Sequence, residues 1–175
     1  MEVHDLFIMR HAKSDWNNDL ISDFDRPLNE RGMRDAPRMA LWLAKWMATN
    51  NITVDLLVSS PALRAKQTAE EVISQFNLPE SSFIYDKRMY LAGIDTLQNI
   101  IRETDDKHRS LMLIGHNPGL EKLALELSKD QLPIDTDGSL MTTANIVHLR
   151  LTQPWNNLER HKGEFVQMMR PRQLS

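Results

Sequence analysis

Two arginines and two histidines hold the chemical interest of this chain. Arg10 and His11 stand side by side after a short apolar run, Leu6-Phe-Ile-Met9. Arg64 comes soon after a second run, Val54 to Val58, and His116 follows a third, Leu111 to Ile114, within Gly115-His-Asn-Pro-Gly119. An imidazole can act as a nucleophile or carry a proton near neutral pH. A guanidinium offers a planar fork that matches two phosphate oxygens at once. Arg64 is the most informative, because it falls about one turn into a helical pattern, where the peptide dipoles already carry partial positive charge. A surface cation there costs about 0.3–1 kcal/mol, and an anion bound at the helix start reverses that sign.

Each residue also has an ordinary structural reading. Arg64 fits a solvated helix face, His11 a hydrogen-bonded position after a strand, and His116 an Asn-Pro turn. One phosphate pocket accounts for all of them together. A metal site is the obvious competitor for two histidines. Yet neither belongs to a His-x-x-x-His pair, there is no cysteine, and Arg10 and Arg64 would repel a divalent cation, so no metal and no cofactor is expected. No Gly-x-Ser-x-Gly elbow supports a serine hydrolase.

The elements that must position these side chains alternate along the chain. The three apolar runs are short and nearly continuous, the pattern of strands buried on both faces. Helical spacing follows each: Met33, Ala36, Ala40, Leu43 and Met47; then Ala65, Ala69, Val72, Ile73 and Phe76; then Leu120, Leu123, Ala124 and Leu127. Ser60 reads as the N-cap of the second helix, with Pro61 at its first position. Pro37 either kinks the first helix or makes it restart near Asp35. Asn145 to Leu151 alternates as a strand, and Glu164 to Met168 reads as a last short one. This order predicts an α/β fold: a single-domain three-layer α/β/α sandwich with a mostly parallel central sheet and an antiparallel edge strand. In such sheets ligands bind outside the carboxyl ends of the strands, where all four polar residues would converge.

Bulk properties narrow the classes. With 175 residues, 41% of them hydrophobic, the chain suits one domain over residues 1–175 with one core. Its 21 Lys+Arg against 24 Asp+Glu give a formal charge of -3, so neither nucleic acid nor membrane is expected as a partner, and any attraction for anions must be local. The absence of cysteine suits a reducing compartment, and with no basic leader or apolar span in the sequence the expected location is cytoplasmic. Trp155 to Lys162 reads as a surface loop. His4, His108, His148 and His161 read as exposed or structural residues.

Four segments carry a family resemblance. Leu6-Phe-Ile-Met-Arg-His-Ala-Lys-Ser-Asp-Trp-Asn17, Arg26-Pro-Leu-Asn-Glu-Arg-Gly32, Ser59-Ser-Pro-Ala-Leu-Arg-Ala-Lys-Gln-Thr68 and Gly115-His-Asn-Pro-Gly119 occur in the order seen in the histidine phosphatase superfamily, the phosphoglycerate mutase-like fold. Short length, an Arg-His-Ala form of the usual Arg-His-Gly motif, and Asp25-Arg-Pro-Leu resemble the SixA-type phosphohistidine phosphatase branch.

The resemblance implies that His11 becomes transiently phosphorylated while Arg10, Arg64 and a protonated His116 bind the phosphoryl group. Ser14, Asn17 and Asn117 are implied as further substrate contacts. The acidic proton donor of mutases and many phosphatases should fall near Arg88 to Gly93, which holds no carboxylate; Asp25, Asp86 and Asp95 remain candidates. Imidazole leaves phosphorus with less help than an alkoxide does, so a missing donor favours a phosphohistidine substrate on a signalling or phosphotransfer protein. The alternatives are a phosphomonoesterase for a small phosphate ester or phosphopeptide, and a non-catalytic phosphate-binding adaptor. Inorganic phosphate would be the product of either enzyme. The oligomeric state stays open.

Overall fold

The computed structural model describes residues 2–174. Six strands form one sheet: β1 (His4–Arg10), β2 (Leu56–Ser59), β3 (Phe83–Tyr85), β4 (Ser110–Gly115), β5 (Ile146–Leu151) and β6 (Glu164–Met169), in the order β3-β2-β4-β1-β5-β6. The first four in that order run parallel, whereas β5 is antiparallel to both β1 and β6. The edge strand β6 is thus antiparallel to its neighbour, as expected. β1, β2 and β4 are the three predicted apolar runs, and all but the last residue of β1 are buried, as central strands covered on both faces require.

The helices α1 (Glu30–Thr49), α2 (Leu63–Phe76), α3 (Ile94–Arg102) and α4 (Gly119–Leu127) cover the two faces. Phe7, Met9, Leu57, Met112 and Ile114 pack with α1 and α2 residues such as Met39, Leu43 and Val72. The alternate positions Leu6, Ile8, Val58, Leu111 and Leu113 pack with α3 and α4 residues such as Ile101, Leu123 and Leu127. The two-residue period of the strands thereby creates two cores, one per face. No helix among the described residues is long and apolar enough to cross a membrane.

Three local expectations need correction. The first helix does not restart near Asp35. It runs unbroken through Pro37, which removes one backbone bond, because Ala36, Met39, Ala40, Leu43 and Met47 hold both halves against the sheet. The second helix begins at Leu63 rather than Pro61, with Ala62 as N-cap; the Ser60 hydroxyl accepts from the Ala62 amide at 3.2 Å one residue earlier. The stretch after Pro154 is not simply a surface loop: Trp155 is fully buried and its indole N–H donates to the His108 carbonyl at 2.7 Å.

One glycine in this frame bears directly on the functional loops. Gly32 in α1 lies against the loop after β1, where a Cβ would come within 2.1 Å of the Lys13 carbonyl oxygen. That carbonyl also accepts from the Asn29 amide, and the Asn29 side chain caps α1 by accepting from Gly32. The Asn29-Glu-Arg-Gly32 segment is therefore a clamp that fixes residues 11–14 onto the helix.

Candidate active site

Backbone pairing carries the sheet register past the strand ends. The His11 amide donates to the Gly115 carbonyl, and the Ser60 amide donates to the Ile114 carbonyl. Residues 11, 60 and 116 therefore meet at the carboxyl ends of the adjacent strands β1, β2 and β4. A hollow of about 290 Å³ opens there, lined by Arg10, His11, Lys13, Ser14, Trp16, Asp23, Arg26, Arg64, Leu91, His116, Asn117 and Thr143. The four residues singled out in the sequence share it. So do Ser14 and Asn117, but Asn17 does not; it lines an adjoining depression with Asp15 and Asn29.

His11 is held in one orientation. Its Nδ1 lies 2.7 Å from the Ala12 carbonyl oxygen, which can only accept, so Nδ1 carries the proton and Nε2 keeps its lone pair. The Arg64 Nε–H points at that Nε2 from 3.4 Å. The Ala12 amide donates to the Thr68 hydroxyl, which donates in turn to the Arg64 carbonyl, so α2 braces the loop that carries His11. Ala12 itself is fully buried, and its methyl is accommodated where Gly is usual in the family motif.

The two imidazoles face each other with ring centroids 5.2 Å apart. His116 Nε2 lies 2.8 Å from the Ser60 hydroxyl, while its Nδ1 is buried with no partner among the described residues. Arg10 and Arg26 each also leave Nε buried and unpartnered. Buried donors are rarely left without an acceptor. Here three such side chains line one hollow.

Burial is the main cause of the histidine titration shifts. It pushes His11 down to about 3 against the opposing bond to Ala12, with the charges of His116, Arg64 and Arg10 adding to the fall. Burial and Arg64 push His116 down to about 4, against the pull of Asp23. Both rings are therefore neutral at pH 7 in this structure, and the expectation of a protonated His116 does not hold without a bound anion.

These shifts have a sign for stability. An unfolded His titrates near 6.5, so between about pH 6.5 and 4 the unfolded chain binds protons that the folded chain refuses. The fold loses stability as pH falls through that window. Urea unfolding at pH 5 against pH 7 should show a loss of a few kcal/mol, and His116→Ala should flatten part of the slope.

The carboxylate in the hollow is Asp23, which the sequence reading passed over in favour of Asp25, Asp86 and Asp95. None of those three lines the hollow: Asp25 pairs with Ser22, Asp86 caps a short turn and bonds Arg88, and Asp95 stands in the first turn of α3. Asp23 bonds Arg26 at 2.7 Å, Arg64 at 3.0 Å and the Tyr90 hydroxyl at 2.5 Å. Partial burial would raise its pKa, but the bonds from Arg26 and Tyr90 and the charge of Arg64 prevail and hold it well below the usual carboxylate range. The Asp23 carbonyl accepts a further bond from Arg64. The resting fork of Arg64 is thus occupied by a carboxylate of its own chain.

Arg26 explains the Arg-Pro-Leu motif. It donates to Ser14 and Asp23 and stacks under the Trp16 ring at 3.6 Å, tying the exposed 16–25 segment to the hollow. No group of three His, Asp or Glu side chains that could hold a metal occurs among the described residues.

Comparison with known proteins supplies the family. A model of the histidine phosphatase superfamily (branch 1) matches residues 6–89. A structure of the protein histidine phosphatase SixA complexed with tungstate superposes with a TM-score of 0.75 at 28% identity, covering 98% of this chain and 99% of that one. This chain belongs to the histidine phosphatase superfamily. Phosphohistidine phosphatase SixA of Escherichia coli is 29% identical over 152 residues, which cover 86% of this chain and 88% of the bacterial protein. An uncharacterized Mycobacterium leprae protein is 30% identical over 170 residues, covering 94% and 100%. Within the superfamily the chain therefore resembles SixA-type members most clearly. The matched family region ends before His116, so the second imidazole joins the hollow on the geometry given above.

Proposed function

We propose that this histidine phosphatase superfamily member hydrolyses protein-borne phosphohistidine through a transient phosphohistidine on His11. The observation that carries this reading is the arrangement around His11 Nε2: a neutral ring whose lone pair meets only the long Arg64 Nε–H contact at 3.4 Å, surrounded by the guanidiniums of Arg10 and Arg64 and the second imidazole. The guanidiniums of Arg10, Arg26 and Arg64 lining the hollow suit a tetrahedral oxyanion. Tungstate, present in the related SixA structure, is such an ion.

In the first step His11 Nε2 forms a bond to phosphorus while the substrate N–P bond breaks, and the departing imidazole keeps the electron pair and takes its proton from solvent water. In the second, water attacks phosphorus, the Nε2–P bond breaks, and inorganic phosphate leaves. The arginines offset charge on the equatorial oxygens in both steps. A bound phosphoryl dianion raises the His116 pKa from its low resting value.

The choice of a P–N over a P–O substrate rests on Asp23. It is the one carboxylate among the lining residues, and three hydrogen-bonding partners keep it ionised. An ester leaving as alkoxide needs a proton donor that contributes about 10²–10⁴-fold, and an ionised Asp23 offers none. Turnover of a histidine-phosphorylated protein beside a panel of phosphate monoesters tests this. We expect kcat/KM at least about 10²-fold higher for the P–N substrate. Equal or faster ester turnover would make the protein a phosphomonoesterase instead.

A further inference from the structure

A second concentration of positive charge lies beside the hollow. Arg31, Arg34 and Arg38 recur at spacings of three, four and seven along α1 and so form one ridge of that helix. Arg172 reaches the same place from the C-terminal turn. With Asp35, Thr142, Thr143 and Pro171 they line a groove of about 310 Å³. Thr143 lines both this groove and the hollow, and its hydroxyl accepts from Arg31 at 3.2 Å. The two depressions therefore share a wall.

Internal carboxylates do not balance this charge. Asp35 is buried and is shared by Arg31, Arg34 and Arg38 at 3.4–3.8 Å, distances at which one carboxylate leaves most guanidinium donors free. Asp135, whose side chain is largely covered, serves both Arg172 and Arg170. Asp137, on the adjoining loop, hydrogen bonds with Ser139 at 2.6 Å. The four groove guanidiniums thus share Asp35 and Asp135, the latter also engaged by Arg170, with Asp137 near Arg172, in a chain of net charge -3. Like charges crowded on one ridge repel unless an anion lies among them.

Another part of the rim has a different character. Trp16 and Leu91 line the hollow and are exposed, and Leu20, Ile21 and Phe24 stand exposed on the same 16–25 segment as Trp16. Exposed aromatic and apolar side chains together with arginines around one site match the composition of protein interfaces. Nucleic acid fits less well, since no aromatic side chain lines the groove to stack a base.

We propose that the Arg31-Arg34-Arg38-Arg172 groove docks acidic side chains flanking the phosphorylated histidine of a protein substrate. This rests on the phosphatase reading above and adds the kind of partner: a protein with a cluster of Asp or Glu near its phosphohistidine. The groove fixes the substrate's approach, while the hollow holds the phosphoryl group. Its contribution is electrostatic and sits at a solvent-exposed rim, so it acts on encounter and KM and weakens with salt.

The test uses two histidine-phosphorylated peptides of equal length, one flanked by glutamates and the other by glutamines, together with phosphoramidate as a small P–N donor. The wild-type protein should prefer the glutamate peptide by about tenfold in kcat/KM, in KM rather than kcat, and added salt should erase the preference. Arg34→Glu, at the most exposed of the four positions, should remove that preference while leaving phosphoramidate turnover within about twofold. The paired variant Arg34→Gln/Arg172→Gln serves the same purpose without introducing new acid. Equal peptides for the wild type, or a parallel loss on phosphoramidate, would overturn the docking role. Anisotropy with the unphosphorylated glutamate peptide gives a readout independent of chemistry: binding abolished by Arg34→Glu supports the groove even where no substrate turns over. A protein that hydrolyses neither peptide nor phosphoramidate, yet binds the acidic peptide, loses the phosphatase reading and keeps the groove. Preference for a small doubly phosphorylated metabolite over the glutamate peptide would assign the arginines to a second phosphate and sink the proposal.

Discussion

Replacing His11 by alanine should lower kcat by at least about 10⁴-fold while oxyanion binding survives, because the nucleophile is removed and the guanidiniums remain. The structure gives both halves of that expectation a cause. His11 Nε2 is the ring nitrogen left free by the Nδ1–H bond to Ala12, so no neighbouring group can take its place in forming the N–P bond. Arg10, Arg64 and His116 are held mainly by Met141, Asp23 and Ser60 respectively, and Arg64 gives up only its long 3.4 Å contact when the His11 ring is removed. Rapid mixing with substrate followed by mass spectrometry under alkaline conditions should detect a phosphorylated His11 in the wild type and none in the variant. Unchanged turnover in His11→Ala would refute the nucleophile assignment outright.

The second large effect is expected at Arg64. Truncation to alanine should lower kcat/KM by about 10²–10³-fold, with phosphate affinity and rate falling together, since the guanidinium serves both the ground state and the transition state. Arg64→Lys should recover little, because a point charge cannot reproduce a fork that reaches His11 and Asp23 at once. Competition by inorganic phosphate, measured beside initial rates, separates the two contributions. A variant that keeps phosphate affinity while losing only rate would mean that Arg64 acts on the transition state alone.

The parts of this molecule that could be read in advance share a physical property: they are periodic or continuous over several residues. β1, β2 and β4 are buried on both faces and so appear as unbroken apolar runs. α1, α2 and α4 bury one stripe each and show helical spacing. Arg10, His11, Arg64 and His116 could be grouped because each follows such a run. β3 escaped because three residues display no period, whereas α3 carries legible helical spacing in Ile94, Leu97, Ile100 and Ile101 and went unassigned all the same.

Asp23 escaped for a different reason. It sits in the exposed, aperiodic 16–25 segment, and its partners Arg64 and Tyr90 are 41 and 67 residues away. Its one available signal was the Arg-Pro-Leu motif three residues later, which drew attention to Asp25 instead. Trp155 was similarly hidden, because a single buried indole in an irregular stretch has no pattern to betray it.

The carboxylate resting on Arg64 bears on how a catalytic cycle would close. A guanidinium in a water-poor hollow clings to phosphate, and slow loss of product is a common brake on enzymes with highly charged pockets. Asp23, 43% exposed at its side chain and mounted on an irregular segment, can return to the arginine as the product departs. Release then becomes an exchange of one anion for another, and the arginine is never left bare. The same exchange taxes entry equally for every ligand, so it weakens product inhibition without helping the pocket discriminate among substrates.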